Sequence, residues 1–310
     1  MAAPAHPRHW PSWTAAALAR ASVALPHPAR LALGRRLGRI AHRLAAGRRH
    51  VAVTNLRLCF PDIDPASRAA LVRSHFEAAA IGALEAALAW WGSPRRLDAL
   101  AEIEGLAHLT LARRAGRGVI LLTAHFTTLE IGAHILALAH PIRAIYRPLR
   151  NPVFDRLMRD ARMRRAEEGQ VIERDDLRAL LRALREGAVV WYAPDQDHGL
   201  RNGVFAPFFG VPAATVTATS RLARATGAAV VPYHPERTPD GRYRLLVEPP
   251  LEDFPGPDPA ADAVRINALI EGWVRRVPEQ YFWSHRRFKT RPAGEPDPYA
   301  VGATAAGGGT

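Results

Sequence analysis

Short apolar runs alternate with segments of helical character through most of this 310-residue chain. Residues 118–124 (GVILLTA) and 188–193 (AVVWYA) carry no charge and predict buried strands. Further strands are predicted over residues 142–146, 228–233 and 243–248, and helices over 65–91, 127–139, 152–168, 175–186, 215–226 and 260–276. Strands that alternate with helices form a largely parallel sheet covered on its faces. The sequence therefore predicts an α/β fold, with a mixed, mostly parallel sheet covered by helices.

Positive charge is concentrated at the start of the chain. The first 61 residues contain ten arginines and no aspartate or glutamate, against a net charge of +13 for the whole chain. The remainder is therefore close to electrically balanced. A basic segment of this kind favours an anionic surface, which is either lipid headgroups or nucleic acid.

Part of this basic segment has the pattern of an amphipathic helix. The apolar face consists of Leu33, Leu37, Ile40 and Leu44. The arginines around it are Arg35, Arg36, Arg39 and Arg43. Such a helix either lies in an anionic membrane surface or packs on the core with a solvated basic side. Trp10 and Trp13, ahead of an alanine-rich run, suit the headgroup level of a bilayer. We predict that residues 1–50 form a membrane-associated arm, which spans the membrane near residues 10–26 or lies on it.

Composition predicts the domain bounds of the rest of the chain, and the motifs that the sequence lacks argue against bound metals and cofactors. Residues 51–291 are predicted to form the α/β domain, and residues 292–310, which end in AAGGGT, a disordered tail. A single cysteine, Cys59, excludes an intrachain disulfide and a cysteine-based zinc cluster. The thirteen histidines lack the paired spacing of a zinc helix, and no P-loop is present. We therefore expect no metal and no cofactor.

A histidine directly after a buried strand is the strongest sign of chemistry. His125 follows residues 118–124, and Glu130 follows five residues later at the start of a predicted helix. If His125 lies in the turn and Glu130 reaches back, the carboxylate fixes the imidazole tautomer and makes His125 a general base. The alternative is a capping box, in which Thr127 and Glu130 satisfy backbone amides. Both interpretations remain open at this point.

Several further motifs restrict the family. They are Tyr146-Arg-Pro, Asn151-Pro, Ala193-Pro-Asp-Gln-Asp, the segment Phe205–Ala213, and Pro278-Glu-Gln-Tyr-Phe-Trp-Ser-His-Arg-Arg-Phe-Lys-Thr-Arg-Pro292. Together with the histidine motif they resemble the secondary, or late, acyltransferases of lipid A biosynthesis. The resemblance extends from about His6 to about Pro292, nearly the whole chain.

That resemblance implies a function, a location and two substrates. A fatty acyl chain, laurate or a near neighbour, would pass from acyl carrier protein to a 3-hydroxyacyl hydroxyl of a Kdo-bearing, phosphorylated tetraacyl glycolipid. The enzyme would act at the cytoplasmic side of the bacterial inner membrane. Two alternatives remain: an acyltransferase for another lipid acceptor, such as glycerol phosphate or a glycolipid, and a non-catalytic basic protein that binds membrane or RNA. No RNA-binding signature is present, so no nucleic-acid partner is expected.

Candidate site residues follow from this interpretation. His125 and Glu130 are the predicted catalytic pair, and the tetrahedral oxyanion would be stabilised by Arg147 or by a backbone amide at the helix start. Asp195 follows a buried strand and is predicted to support the site or contact the acceptor. Basic residues suited to anionic substrates are Arg147, Arg286, Arg287 and Lys289. No G-x-S-x-G motif is present, which favours direct transfer without an acyl-enzyme.

Overall fold

The computed structural model describes residues 6–114, 116–164, 171–173 and 175–300. The helices are α1 Trp10–Ala21, α2 His27–Leu44, α3 Ala46–Cys59, α4 Pro65–Trp91, α5 Pro94–Asp98, α6 Leu106–Arg114, α7 Leu129–Ala139, α8 Pro152–Met163, α9 Leu177–Arg185, α10 Ala218–Thr226 and α11 Pro259–Arg276. The strands are β1 Ala101–Glu104, β2 Val119–Leu122, β3 Arg143–Tyr146, β4 Ile172–Glu173, β5 Val189–Tyr192, β6 Gly203–Phe208, β7 Val211–Val216, β8 Ala229–Arg237 and β9 Tyr243–Val247.

Seven of these strands form one sheet in the order β1-β9-β8-β2-β5-β3-β4. The pairing of β8 with β9 is antiparallel, and the other neighbours are parallel. The predicted α/β class with a mixed, mostly parallel sheet is therefore confirmed. Strands β6 and β7 form a separate antiparallel hairpin, so the helix predicted from residue 215 is wrong over its start: Thr215 lies in β7, and α10 begins only at Ala218.

Both faces of the central strands are buried, which explains their uniformly apolar sequences. In β2, Val119 and Leu121 join one hydrophobic cluster, while Ile120 and Leu122 join the other. The first cluster includes side chains of α7 and the end of α4, and the second includes side chains of α3, α9 and α11. Successive residues of a strand point to opposite faces, so each apolar residue of β2 is needed by one layer or the other.

The N-terminal helices pack on the long helix α4. Asp64 caps α4 by accepting from the backbone amides of Ala66 and Ser67, and Pro65 occupies its first turn. Helix α2 contacts α4 through Gly34 and Gly38, not through the predicted apolar face. A Cβ at Gly38 would lie 2.4 Å from the Cα of Glu77, so only glycine permits this approach.

The predicted apolar face of α2 instead remains largely on the surface. Leu37, Ile40 and Leu44 are exposed. The four arginines Arg35, Arg36, Arg39 and Arg43 are exposed as well, and Arg39 also pairs with Glu77 at 2.8 Å. None of the helices in the described part of the chain is both long and apolar enough to cross a membrane.

The end of the chain also contacts the core. Tyr299 is buried, and its hydroxyl contacts Asn55 of α3 and accepts from the backbone amide of Phe288. Of the tail predicted to be disordered, residues 292–300 are therefore held against the domain through Tyr299. Residues 301–310 lie outside the described part of the chain.

The close approach of α2 to α4 can be tested with two glycine substitutions. We expect Gly38→Ala to lower the free energy of unfolding by about 1–3 kcal/mol, because its methyl group meets the backbone of α4. Gly272→Ala in α11 is the control: its Cβ meets nothing within 4 Å, so higher helix propensity should stabilise the protein by up to about 1 kcal/mol. Denaturant unfolding measures both. Equal effects of the two substitutions would contradict the packing described here.

Candidate active site

His125 and Asp195 lie opposite each other beyond the ends of two paired strands. Val119 of β2 pairs with Val189 of β5, an offset that continues to Leu122 and Tyr192. His125 lies three positions after Leu122, and Asp195 lies three positions after Tyr192, so the register of the two strands brings them together. Functional groups commonly gather at the carboxyl ends of parallel strands, and this pair follows that rule.

The carboxylate of Asp195 holds His125 at two points. Its Oδ1 is 2.6 Å from the imidazole Nδ1, and its Oδ2 accepts from the backbone amide at 3.0 Å. The carbonyl of the same residue is fixed too, since it accepts from the amide of Phe282 at 2.9 Å. In its neutral form the imidazole therefore has one tautomer, with the Nδ1 proton toward Asp195 and Nε2 free to accept a proton.

The surroundings shift the pKa of both groups. Burial lowers the pKa of His125, but the charge of Asp195 and its hydrogen bond outweigh burial and raise the pKa above its ordinary value. For Asp195, burial raises the pKa, yet the charge and hydrogen bonds of His125 lower it to about 2. The His125 side chain is 31% exposed, so its Nε2 can take a proton from a bound molecule.

A small cavity adjoins this pair. It is lined by Asn55, His125, Asp195, Gln196, Tyr281, Phe282, His285 and Arg287. The segment from Tyr281 to Arg287 is held against the His125 turn by a β-bridge between Phe126 and Tyr281. Asn55 fixes it from the other side, because its amide donates to the carbonyls of Trp283 and His285 at 2.7 Å each. The cavity is thus built from four distant parts of the sequence.

Glu130 has different partners from those predicted. Its carboxylate accepts from Trp90 Nε1 at 3.0 Å and from Arg162 Nη2 at 2.6 Å, and it lies 3.2 Å from His134 Nε2. Burial raises the pKa of Glu130, but the charge of Arg162 and these hydrogen bonds hold it well below its usual range. The contact with His125 that we predicted for Glu130 is made by Asp195 instead, because Glu130 faces α4 and α8 from the first turn of α7.

The alternative capping box is not formed in this structure either. The residue that caps α7 is Thr128, which makes no side-chain capping bond. The Thr127 hydroxyl is buried without a hydrogen-bond partner among the described residues. The catalytic contribution predicted for Glu130 stays a prediction, and its visible contacts tie three helices together.

The predicted basic residues divide into two groups. Arg287 lines the cavity and is 2% exposed. Within the described part of the chain its acceptors are neutral: the Ala214 carbonyl at 2.8 Å and the Thr215 hydroxyl at 3.0 Å. Its Asn267 contact, at 3.5 Å, is also to a neutral oxygen. Arg147, Arg286 and Lys289 are exposed and are not among the lining residues. Arg147 follows the carboxyl end of β3, and Arg286 lies over the ring of Tyr299.

Among the polar residues of the cavity that sequence reasoning missed are His285 and Asn55. His285 lies inside a segment that carried the family resemblance, but we weighed only the cationic residues of that segment. The proximity of His285 to His125 depends on how residues 281–287 return to the sheet. No spacing in the sequence reveals that return.

Comparison with known proteins shows which protein family the chain resembles. Residues 2–290 match the family described as bacterial lipid A biosynthesis acyltransferase. The chain is 40% identical to the lipid A biosynthesis lauroyltransferase of Escherichia coli (strain K12), over 95% of this chain and 96% of that protein. It is 37% identical to the lipid A biosynthesis palmitoleoyltransferase of the same strain, over 95% of this chain and 96% of that protein. It is 36% identical to the lipid A biosynthesis myristoyltransferase of that strain, over 95% of this chain and 91% of that protein.

The pairing of His125 with Asp195 predicts how the imidazole titrates. We expect Asp195→Asn to lower the pKa of His125, because the negative charge that favours the imidazolium is lost. Asp197→Asn is the control, since Asp197 is also buried but bonds Thr290 and Gly199. An NMR titration of the ring resonances compares the variants. A larger fall in Glu130→Gln than in Asp195→Asn would restore the pairing predicted from the sequence.

Proposed function

Because the chain belongs to the bacterial lipid A biosynthesis acyltransferases, we propose that it transfers laurate, or a near neighbour in length, from acyl carrier protein. The acceptor is a 3-hydroxyacyl hydroxyl of a Kdo-bearing, phosphorylated tetraacyl lipid A precursor. The observation that carries the proposal is the His125–Asp195 pair, with the imidazole Nδ1 2.6 Å from the carboxylate and the ring accessible.

The pair supports direct transfer between the two substrates. His125 takes the proton of the acceptor hydroxyl at Nε2 while the hydroxyl oxygen attacks the thioester carbonyl carbon. Asp195 stabilises the imidazolium that forms and keeps the ring oriented, as a buried carboxylate behind a catalytic histidine does. The tetrahedral intermediate then collapses, the thiolate leaves, and the imidazolium returns its proton to the sulfur. No cofactor takes part in this sequence.

The one cysteine does not suit a covalent alternative. Cys59 is buried in the core, and burial raises the pKa of its thiol far above the ordinary value. A protonated, inaccessible thiol is a poor nucleophile. The chemistry therefore runs through His125 and both substrates together.

Donor length is the least constrained part of the proposal. The relatives described above are named for lauroyl, palmitoleoyl and myristoyl transfer, and their identities to this chain differ by only a few per cent. Laurate is proposed because the lauroyltransferase shares the highest of the three identities. The proposed acceptor class is supported by the whole family, since its description names lipid A biosynthesis.

A reconstituted assay tests donor and acceptor together. We expect purified protein to acylate the Kdo-bearing tetraacyl precursor at least about tenfold faster than glycerol 3-phosphate. In a competition among lauroyl, myristoyl and palmitoleoyl carrier proteins, laurate should be the chain that product mass spectrometry finds most. His125→Ala supplies the background and should be about 10²-fold slower or more. Faster acylation of glycerol 3-phosphate would overturn the acceptor and favour another lipid pathway.

We also propose that α2 lies on the anionic cytoplasmic surface of the inner membrane. The helix has three stripes: glycines against α4, an exposed apolar stripe of Leu37, Ile40 and Leu44, and exposed arginines. At 100° per residue these stripes are roughly a third of a turn apart. The apolar stripe can enter the acyl boundary while the arginines contact headgroups. Exposed Trp10 and Leu18 of α1 add to the apolar surface.

Removing three arginines tests this orientation. Replacing Arg35, Arg36 and Arg43 with alanine should weaken binding to anionic vesicles by about 10²-fold, because each basic residue near such a surface contributes about 1 kcal/mol. The loss should shrink as salt is raised. Alanine at Arg178, Arg182 and Arg185, exposed on α9, is the matched control with the same change in charge. Equal losses in the two triple variants, measured by vesicle sedimentation, would exclude α2 as the contact.

A further inference from the structure

A second imidazole, His285, lines the same cavity as His125. Its backbone is fixed, since its amide donates to the Phe282 carbonyl at 3.2 Å and its carbonyl accepts from Asn55 at 2.7 Å. Its ring Nε2 accepts from the backbone amide of Asp197 at 3.4 Å. A neutral imidazole that accepts at Nε2 carries its proton on Nδ1. The Asp197 amide therefore leaves Nδ1 as a hydrogen-bond donor.

His285 and His125 differ in the direction in which their pKa values are shifted. Burial lowers the pKa of His285 to about 4, and the charge of Arg287, with that of His125 when it is protonated, acts in the same direction, although Asp195 and Asp197 oppose it. The ring is therefore neutral near pH 7 and does not compete for the proton of the acceptor. The two histidines are set apart by their partners: a carboxylate behind His125, and a backbone amide behind His285.

Most other donors around the cavity already have acceptors among the described residues. The amides of Phe126, Thr127 and Leu129, at the start of α7, donate to Ala124, Gln280 and Phe126. The amide of Asn55 donates to two carbonyls, and the Nη groups of Arg287 donate to neutral oxygens within the fold. The Nε of Arg287 has no hydrogen-bond partner among the described residues, but it is buried away from the surface. Arg147 is exposed and is not part of the cavity wall. Gln196 is the other side-chain amide on the wall.

We propose that His285 is a catalytic residue whose Nδ1–H donates to the thioester carbonyl oxygen as that oxygen becomes an oxyanion. The inference rests on the acyl transfer proposed above. When the acceptor oxygen bonds to the carbonyl carbon, the π electrons move to the carbonyl oxygen, and the proton of the hydroxyl goes to His125. His285 keeps its own proton throughout. On collapse, the electrons return to form the ester carbonyl, and the carbon–sulfur bond breaks.

Two substitutions separate this role from a structural one. His285→Gln places an oxygen near the Nε2 position, so it can keep the bond to the Asp197 amide but loses the Nδ1 donor. His285→Asn places an amide near the Nδ1 position, so it can keep the donor but loses the bond to Asp197. We expect the Gln variant to lose about 10²-fold in kcat with little change in KM, as removal of one oxyanion donor does. The Asn variant should retain at least about tenfold more kcat than the Gln variant.

The contrary results are distinct. A Gln variant that is as active as the Asn variant or more so, with both melting near the wild type, would show that His285 only holds Asp197 in place. A similar loss of kcat in Gln196→Ala with an active His285→Gln would move the donor to Gln196. Wild-type protein without acyl transfer would refute the proposed function, which separates that failure from failure of this inference.

A measurement on the unaltered protein decides the question even if a variant does not fold. The ¹⁵N shifts of the His285 ring, in protein labelled at histidine, report which nitrogen carries the proton. We expect the Nδ1–H tautomer near pH 7. The Nε2–H tautomer, or an imidazolium at that pH, would overturn the proposal.

Discussion

The double contact between the Asp195 carboxylate and His125 is the interaction on which the rest of this site depends. One carboxylate oxygen contacts the imidazole, and the other accepts from the backbone amide of His125. If the ring rotated away, the buried charge of Asp195 would lose its imidazole partner. Leaving Asp195 unpaired would be costly at its depth in the protein, where it is 3% exposed. The adjacent parallel strands β2 and β5 bring the two residues together, and this placement orients the site relative to the sheet.

Two carboxylates near the site, the half-buried Glu130 and the buried Asp195, have different partners. Glu130 accepts from Arg162 and Trp90 and contacts His134, which saturates its oxygens and connects α4, α7 and α8. Asp195 has a titratable partner, and that partner retains an accessible nitrogen. The contacts of Glu130 tie three helices together, whereas Asp195 contacts a ring that can gain or lose a proton.

The two ends of the chain complete the site together. Asn55, from a helix near the N-terminus, fixes the carbonyls of Trp283 and His285, and Tyr299 near the C-terminus contacts Asn55 in turn. The same N-terminal region presents the exposed stripe of α2 that we propose for membrane contact. Helix α2, which we propose contacts lipid, and α3, which contributes Asn55 to the cavity wall, are therefore consecutive in the chain. This arrangement suits the lipid acceptor that we propose.

The sequence by itself determined the α/β class, the main strands, the family and the choice of His125 as a candidate site residue. These follow from local patterns: apolar runs of strand length, helical periods, and motifs written in consecutive residues. It did not determine which carboxylate orients His125, because Glu130 is close in sequence while Asp195 is 70 residues away. Proximity along the chain favoured the wrong pair. The pairing of β2 with β5 decided it, since hydrogen bonding between strands is a property of the sheet and leaves no spacing to read. The same holds for His285 and for the glycine face of α2: each depends on which distant backbone it meets, and only the tertiary structure fixes that.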